Sequence, residues 1–338
     1  MNIAYIIGLG GCLSGKSNGV RMQAEGWAEE LRKESHLVEL IEPWGNYDWK
    51  KFDIIHIFGV EIGLDVLAGI LKRRTNAALV YSPIIDTNRP PWLSRLASLA
   101  AFKPLHMTSP LSSLRAIEKL KPYYLARSEY EYEYIVKFLR CSPSRIGKVF
   151  LSYRLKPHLA TIKKKEKICA HVSILSGPHK NVKRLINAAI KYNFELYLAG
   201  KYGEVDFYTY LQDVLTEYKN IHYLGFLTNV EMIDLFCRAK CFALPSTFEG
   251  VGLVALDAAV CGCDIVMTNR GAPQEYYNGM AQLVDPESID DIGKAIVDIL
   301  QGHTFQPALG EYIAKQFSPK KQCQELSKCY RNAILENG

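Results

Sequence analysis

Two carboxylates stand eight positions apart in the stretch 241–269, CFALPSTFEGVGLVALDAAVCGCDIVMTN, with Glu249 before a Gly-Val-Gly turn and Asp257 beyond it. A carboxylate accepts two hydroxyl hydrogen bonds, so such a pair suits a polyhydroxylated ligand. Gly250 and Gly252 remove side chains where a backbone could approach an anion. The N–H groups of residues 252 to 254 would open a helix without partners inside it, which makes diphosphate a fitting guest. Glu249, Gly250, Val251, Gly252, Leu253 and Asp257 together read as a nucleotide-sugar site. The alternative is an ordinary strand-to-helix crossover carrying two solvated acids.

Those residues need particular elements to hold them. Residues 241–244 form a short apolar run closed by Pro245 and predict a buried strand. Residues 252–260 place Leu253, Leu256, Ala259 and Val260 on one helical face, and Cys261-Gly262 ends the helix. A strand over 265–267 follows. Strand, loop, helix and strand are the unit of a parallel sheet, and ligands bind such sheets at the carboxyl ends of the strands. The loop 176–181, SGPHKN, is a second such place, because it follows a strand over 168–175 and puts Lys180 at a helix start where a diphosphate could be gripped.

The stretch resembles the donor-site signature of glycosyltransferase family four, in which a loop Glu precedes a Gly-rich turn and a second Glu follows eight positions later. Glu249, Gly250, Gly252 and Leu253 match, while Asp257 stands in place of the second Glu. The resemblance spans most of the chain and is strongest over about 168–300. It implies an α/β chain of GT-B architecture, with two Rossmann-like doubly wound parallel-sheet domains facing a cleft and a C-terminal helix crossing back to the first. It also implies retaining transfer of a sugar from a nucleoside-diphosphate sugar to a glycan or lipid-linked acceptor, in bacterial surface polysaccharide synthesis. No metal or other cofactor is implied.

Under that resemblance Glu249 holds sugar hydroxyls, Asp257 the ribose, and Lys180 the leaving diphosphate. Gly225 and Phe226 border the base, and Gly10 and Gly11 touch the donor from the first domain, with Lys16 near the acceptor. Two positions depart from the family. Its diphosphate Arg would fall on Ser173 or Ile174, leaving His179 or Arg184 as stand-ins. Its His after the fourth strand is missing, and Asp86 occupies that region.

The chain as a whole fits this scheme. Its 338 residues suffice for two domains, and 48% hydrophobic with 22% charged residues is a globular composition. The expected division is 1–155, 166–305 and 306–338, with an exposed linker over 154–167 that holds Lys163, Lys164 and Lys165. Neither a signal peptide nor a membrane span is expected, and nine scattered Cys suggest a reducing cytoplasm. The +6 net charge lies in the first half, where 1–155 holds 21 Lys and Arg against 15 Asp and Glu. No acid occurs between Asp86 and Glu118, and residues 87–117 combine Arg89, Arg95, Lys103, His106 and Arg115 with Trp92, Leu93, Leu96, Leu99 and Phe102. This segment suits a peripheral contact with anionic headgroups or a lipid-diphosphate substrate, or else is an amphipathic helix packed on its own sheet. No nucleic-acid partner is expected.

Other readings stay open. Gly10–Ser17, GGCLSGKS, satisfies the P-loop spacing after a strand, but Gly19 is poor for the helix that would follow, and no later strand closes on a suitable Asp. A P-loop NTPase, a GT-B nucleotide-sugar epimerase and a non-catalytic carbohydrate-binding relative are the alternatives. His56, inside the apolar run 52–58, is expected in the core. Tyr130, Tyr132 and Tyr134, alternating with Glu, are expected to cover surface.

Overall fold

A computed structural model describes residues 1–8, 19–99, 109–155, 164–203 and 205–337. The chain forms two compact units, Met1–Leu151 with Pro319–Gly338, and Ser152–Ser318. The second unit therefore runs further than the expected 305. The reason is that Gln306 donates to the Ala259 and Cys263 carbonyls at 3.1 and 2.7 Å, which ties this segment to the unit that precedes it.

The first unit is a parallel sheet of β1 (Asn2–Ile7), β2 (Leu37–Leu40), β3 (Ile54–Phe58), β4 (Ala78–Ser82), β5 (Tyr123–Ala126) and β6 (Ile146–Lys148), in the order β2-β1-β3-β4-β5-β6. β3, β4 and β5 are buried along their whole length. Near-continuous apolar runs such as IIHIF are what a sheet covered on both faces requires. His56 is in this core, as expected. Its Nδ1 lies 2.7 Å from the Tyr330 hydroxyl and its Nε2 2.8 Å from that of Ser82, while Tyr330 meets Tyr5 at 2.7 Å. Tyr330 belongs to the helix Pro319–Asn337, so this buried chain of hydroxyls and imidazole fixes the C-terminal helix on the first sheet.

The tyrosine run departs from the surface role expected of it. Tyr134 is 3% exposed and its hydroxyl donates to Ser94 at 2.6 Å, while Tyr130 donates to the Thr87 carbonyl at 2.7 Å. The helix Pro91–Leu99 consequently docks through serines. Ser94 and Ser98 are buried, whereas Trp92, Leu93, Leu96 and Leu99 are 63%, 41%, 55% and 53% exposed.

The second unit holds β7 (Glu166–Val172), β8 (Glu195–Ala199), β9 (Ile221–Tyr223), β10 (Ala239–Leu244), β11 (Asp264–Thr268) and β12 (Gln282–Val284), again parallel, in the order β12-β11-β10-β7-β8-β9. The chain steps outward from β7 to β9, then returns to β10 on the other side of β7. Strand order therefore reverses between β7 and β10, and the loops leaving those two strands flank the switch point where such sheets bind ligands. The helices Val182–Tyr192 and Ile289–Gln301 cover one face with Leu185, Ile186, Ala189, Ile292, Ile296 and Ile299, all buried.

Candidate functional site

The two loops at the switch point are the ones that the sequence marks. After β7 a short turn, Pro178–Lys180, ends on Asn181 with φ of 59°. After β10, Pro245 to Val251 leads to Gly252 and the helix Leu253–Val260. The loops are stitched together. Thr247 donates its N–H to the His179 carbonyl at 2.8 Å, and the Asn181 amide donates to the Pro245 and Pro286 carbonyls at 2.9 and 2.7 Å.

This stitching brings Lys180 and Glu249 together. The ammonium lies 3.0 Å from Glu249 Oε2 and 3.3 Å from Oε1, with 20% and 12% of the two side chains exposed. The Glu249 backbone is also held from the far side, since its N–H donates to the Arg270 carbonyl and its carbonyl accepts from Ala272, each at 3.2 Å. Gly271 makes this approach possible. A Cβ there would sit 2.0 Å from the Glu249 carbonyl oxygen, and the φ of 100° is one that side chains rarely adopt.

Gly252 caps the next helix in the left-handed region, with φ of 75° and no side-chain hydrogen bond to the first turn. A Cβ at Gly252 would press within 2.6 Å of the Met267 methyl, so glycine is required there sterically as well. The helix start consequently keeps unpaired N–H groups beside the Lys180–Glu249 pair, which is an anion-binding arrangement. Gly250 and Val251 are buried in the turn between them, and Leu253 opens the helix half-buried.

Asp257 corrects the sequence reading. It is wholly buried, and its Oδ1 accepts the N–H groups of Arg154 and Leu155 at 2.6 and 3.1 Å. Its Oδ2 accepts Nε and Nη2 of Arg154 at 3.1 and 2.5 Å. All four acceptor positions of the carboxylate are occupied. Asp257 thus holds residues 154–155 in place and offers nothing to a ribose. The shorter Asp side chain at this position ends inside the unit. Arg154 was read as linker, and no sequence signal marked it.

The diphosphate stand-ins are also resolved. Arg184 is committed to the Asn181 side chain at 2.7 Å and the Pro286 carbonyl at 2.9 Å, so it braces the loop. Ser173, where the family Arg would fall, meets His171 Nε2 at 2.7 Å, while His171 Nδ1 donates to the Ala243 carbonyl at 2.8 Å. The imidazole locks β7 to β10, and burial depresses its pKa to about 4. Ile174 and His179 are exposed.

Gly225 and Phe226 follow β9. The Gly225 carbonyl accepts from Gly200 at 2.8 Å, and the 63%-exposed Phe226 ring has Lys201 4.6 Å above it. From β9 to β10 is three strand spacings, about 14 Å at ~4.8 Å each, a span that an extended sugar nucleotide can cover. Gly10, Gly11 and Lys16 lie outside the described residues, as does the P-loop pattern Gly10–Ser17. Asp86 is 52% exposed and is held by Arg127 at 2.8 Å, with Glu131 as the guanidinium's second, buried partner. Among the described residues no group of His, Cys, Asp and Glu is placed to hold a metal ion, and no helix is long and apolar enough to cross a membrane.

Comparison with known proteins agrees with this geometry. Residues 158–316 match the family model described as glycosyl transferases group 1. O-antigen chain mannosyltransferase B of Escherichia coli is 31% identical over 151 residues, which is 42% of this chain and 40% of the relative's own length. The fold is that of sucrose-phosphate synthase from Thermosynechococcus elongatus, with a TM-score of 0.77 at 14% identity over 99% of this chain and 100% of that one. Anabaena Alr3699/HepE in complex with UDP-glucose gives a TM-score of 0.70 at 18% identity, over 97% of this chain and 98% of the other. With its switch-point loops and two parallel six-stranded sheets, the chain belongs, through residues 158–316, to the glycosyl transferases group 1 family, on a GT-B fold.

Proposed function

We propose that this protein is a retaining glycosyltransferase that moves a hexose from a nucleoside-diphosphate sugar to a glycan or lipid-linked acceptor in surface polysaccharide synthesis. The observation that carries the reading is the Lys180–Glu249 pair, 3.0 Å apart beside the uncapped start of the helix Leu253–Val260. As the sugar departs, the diphosphate gains negative charge. Lys180 and the N–H groups at that helix start stabilise those oxygens more in the transition state than in the ground state, which is what accelerates the step. Glu249 holds sugar hydroxyls on the same rim. Charge stabilisation from these groups makes a metal unnecessary, so turnover should persist in EDTA. The likeness to an O-antigen mannosyltransferase and to a fold that holds UDP-glucose makes GDP-mannose and UDP-glucose the first donors to try.

Calorimetric titration with GDP-, UDP- and ADP-sugars, followed by transfer assays with whichever binds, tests the reading. Absence of binding across the panel would overturn it.

The acceptor side of the proposal rests on the first unit. The helix Pro91–Leu99 turns its serines inward and its Trp and Leu side chains outward, and Arg89 and Arg95 accompany them. That inversion supports a peripheral contact with an anionic membrane surface, on the cytoplasmic side where a lipid-linked acceptor would be presented.

A further inference from the structure

In the second unit, two buried side-chain polar atoms among the described residues have no hydrogen-bond partner, the hydroxyls of Ser246 and Tyr277. Both residues are essentially inaccessible, at 0% and 1% exposed. A buried hydroxyl left unpaired is unfavourable, so each such group in a folded protein calls for an explanation. Ser246 stands three positions before Glu249 in the loop after β10. Tyr277 closes the helix Pro273–Tyr277, which begins next to Ala272, the residue whose N–H is bound to the Glu249 carbonyl at 3.2 Å. The backbone that carries Tyr277 is therefore fastened to the backbone that carries Glu249.

Burial raises the Tyr277 hydroxyl pKa well above its ordinary value, and the charges of Glu249 and Asp257 raise it further, so the group is a neutral donor facing two carboxylates. The two differ in what they can accept. Asp257 is saturated by Arg154 and Leu155. Glu249 has hydrogen bonds from Lys180 alone, at 3.0 and 3.3 Å, and Lys180 is the group that a diphosphate would compete for.

We propose that Tyr277 is a positioning residue for Glu249, supplying a hydrogen bond to the carboxylate when a bound diphosphate draws Lys180 away. This inference rests on the donor-site reading of Lys180 and Glu249. Without Tyr277, Glu249 would lose its orienting partner at the moment it must hold the sugar hydroxyls. The diphosphate itself would be gripped as before.

Tyr277→Phe removes one oxygen and keeps the ring. UDP, GDP, UDP-glucose and GDP-mannose serve as probes, with affinity by calorimetry and melting temperature by scanning calorimetry. The expected result is an unchanged or higher melting temperature, unchanged affinity for the nucleoside diphosphate, and about tenfold weaker affinity for the sugar nucleotide that the wild type binds. In a Glu249→Gln background the same substitution should have no further effect on sugar-nucleotide affinity. Equal sugar-nucleotide affinity in wild type and Tyr277→Phe would overturn the role of Tyr277 while leaving the donor site standing. A lower melting temperature with unchanged affinities would assign the hydroxyl to a structural water and also overturn it. Failure of the wild type to bind any of the four probes would remove the donor-site reading, and this inference with it.

Discussion

Lys180 and Glu249, 69 positions apart in the chain, meet at 3.0 Å because Thr247 and Asn181 bind their two loops together. Each reserves the other in the absence of a ligand. A diphosphate entering beside Gly252 must take Lys180 from Glu249, and the freed carboxylate then faces the sugar.

Replacing either partner tests this exchange. Lys180→Ala should lower turnover roughly 10²-fold or more, because a donor aimed at the leaving oxygens is lost. Glu249→Ala should lower it comparably, by loss of contacts to the sugar. Steady-state rates with the donor identified by titration are the measurement, and wild-type rates in either variant would refute the assigned roles.

Asp257 should behave as a structural residue. Asp257→Ala leaves the part-buried Arg154 guanidinium and two backbone N–H groups without an acceptor, at a cost of about 3 kcal/mol measured by urea unfolding. Asp257→Asn keeps part of the network and should reduce turnover far less than Glu249→Ala. A large loss of sugar-nucleotide affinity in Asp257→Asn at unchanged stability would restore the ribose role.

Stability should fall in mild acid through His171. Its pKa is lowered to about 4 by burial, against about 6.5 in an unfolded chain, so the unfolded state binds the proton more readily. The contribution is complete above pH 6.5 and is lost as pH falls from there towards 4, by about 3 kcal/mol at most. His56 acts in the same direction in the first unit, where burial holds its imidazole neutral between Tyr330 and Ser82. Urea midpoints measured from pH 7.5 to 4.5 should therefore drop steadily below about 6.5, and the drop should be shallower in His171→Asn.

The exposed face of Pro91–Leu99 should bind lipid. Trp92→Ser with Leu96→Ser should abolish cosedimentation with vesicles rich in phosphatidylglycerol. The melting temperature should stay within a degree or two, since both side chains are more than half exposed. Raising salt should weaken the wild-type interaction as the Arg89 and Arg95 charges are screened. Unchanged sedimentation of the double variant would discard this surface.

Much of the fold was legible because it is written in short-range pattern. Brief apolar runs between Gly and Pro marked the strands, and Thr228 with Glu231 marked a helix start that forms the expected reciprocal cap, with Thr228 N–H to Glu231 at 2.7 Å. What pattern reading missed were side chains whose partners are distant in sequence. Tyr134 looked like a surface residue because it alternates with Glu, yet it is buried against Ser94, 40 positions away. The helix at 91–99 reads as amphipathic either way, and only the docked serines show which face turns outward.

The order of types around Glu249, with glycines at 250 and 252 and a helix to follow, determined by itself that an anion site would sit at a strand's carboxyl end, because backbone N–H groups and missing side chains are local properties. Which carboxylate remains available was decided by tertiary structure. Arg154 comes from 103 positions away to saturate Asp257, whereas Glu249 meets a lysine that a ligand can displace. Acceptor capacity is finite, so a carboxylate's role depends on what else reaches it, and that is a matter of folding rather than of spacing.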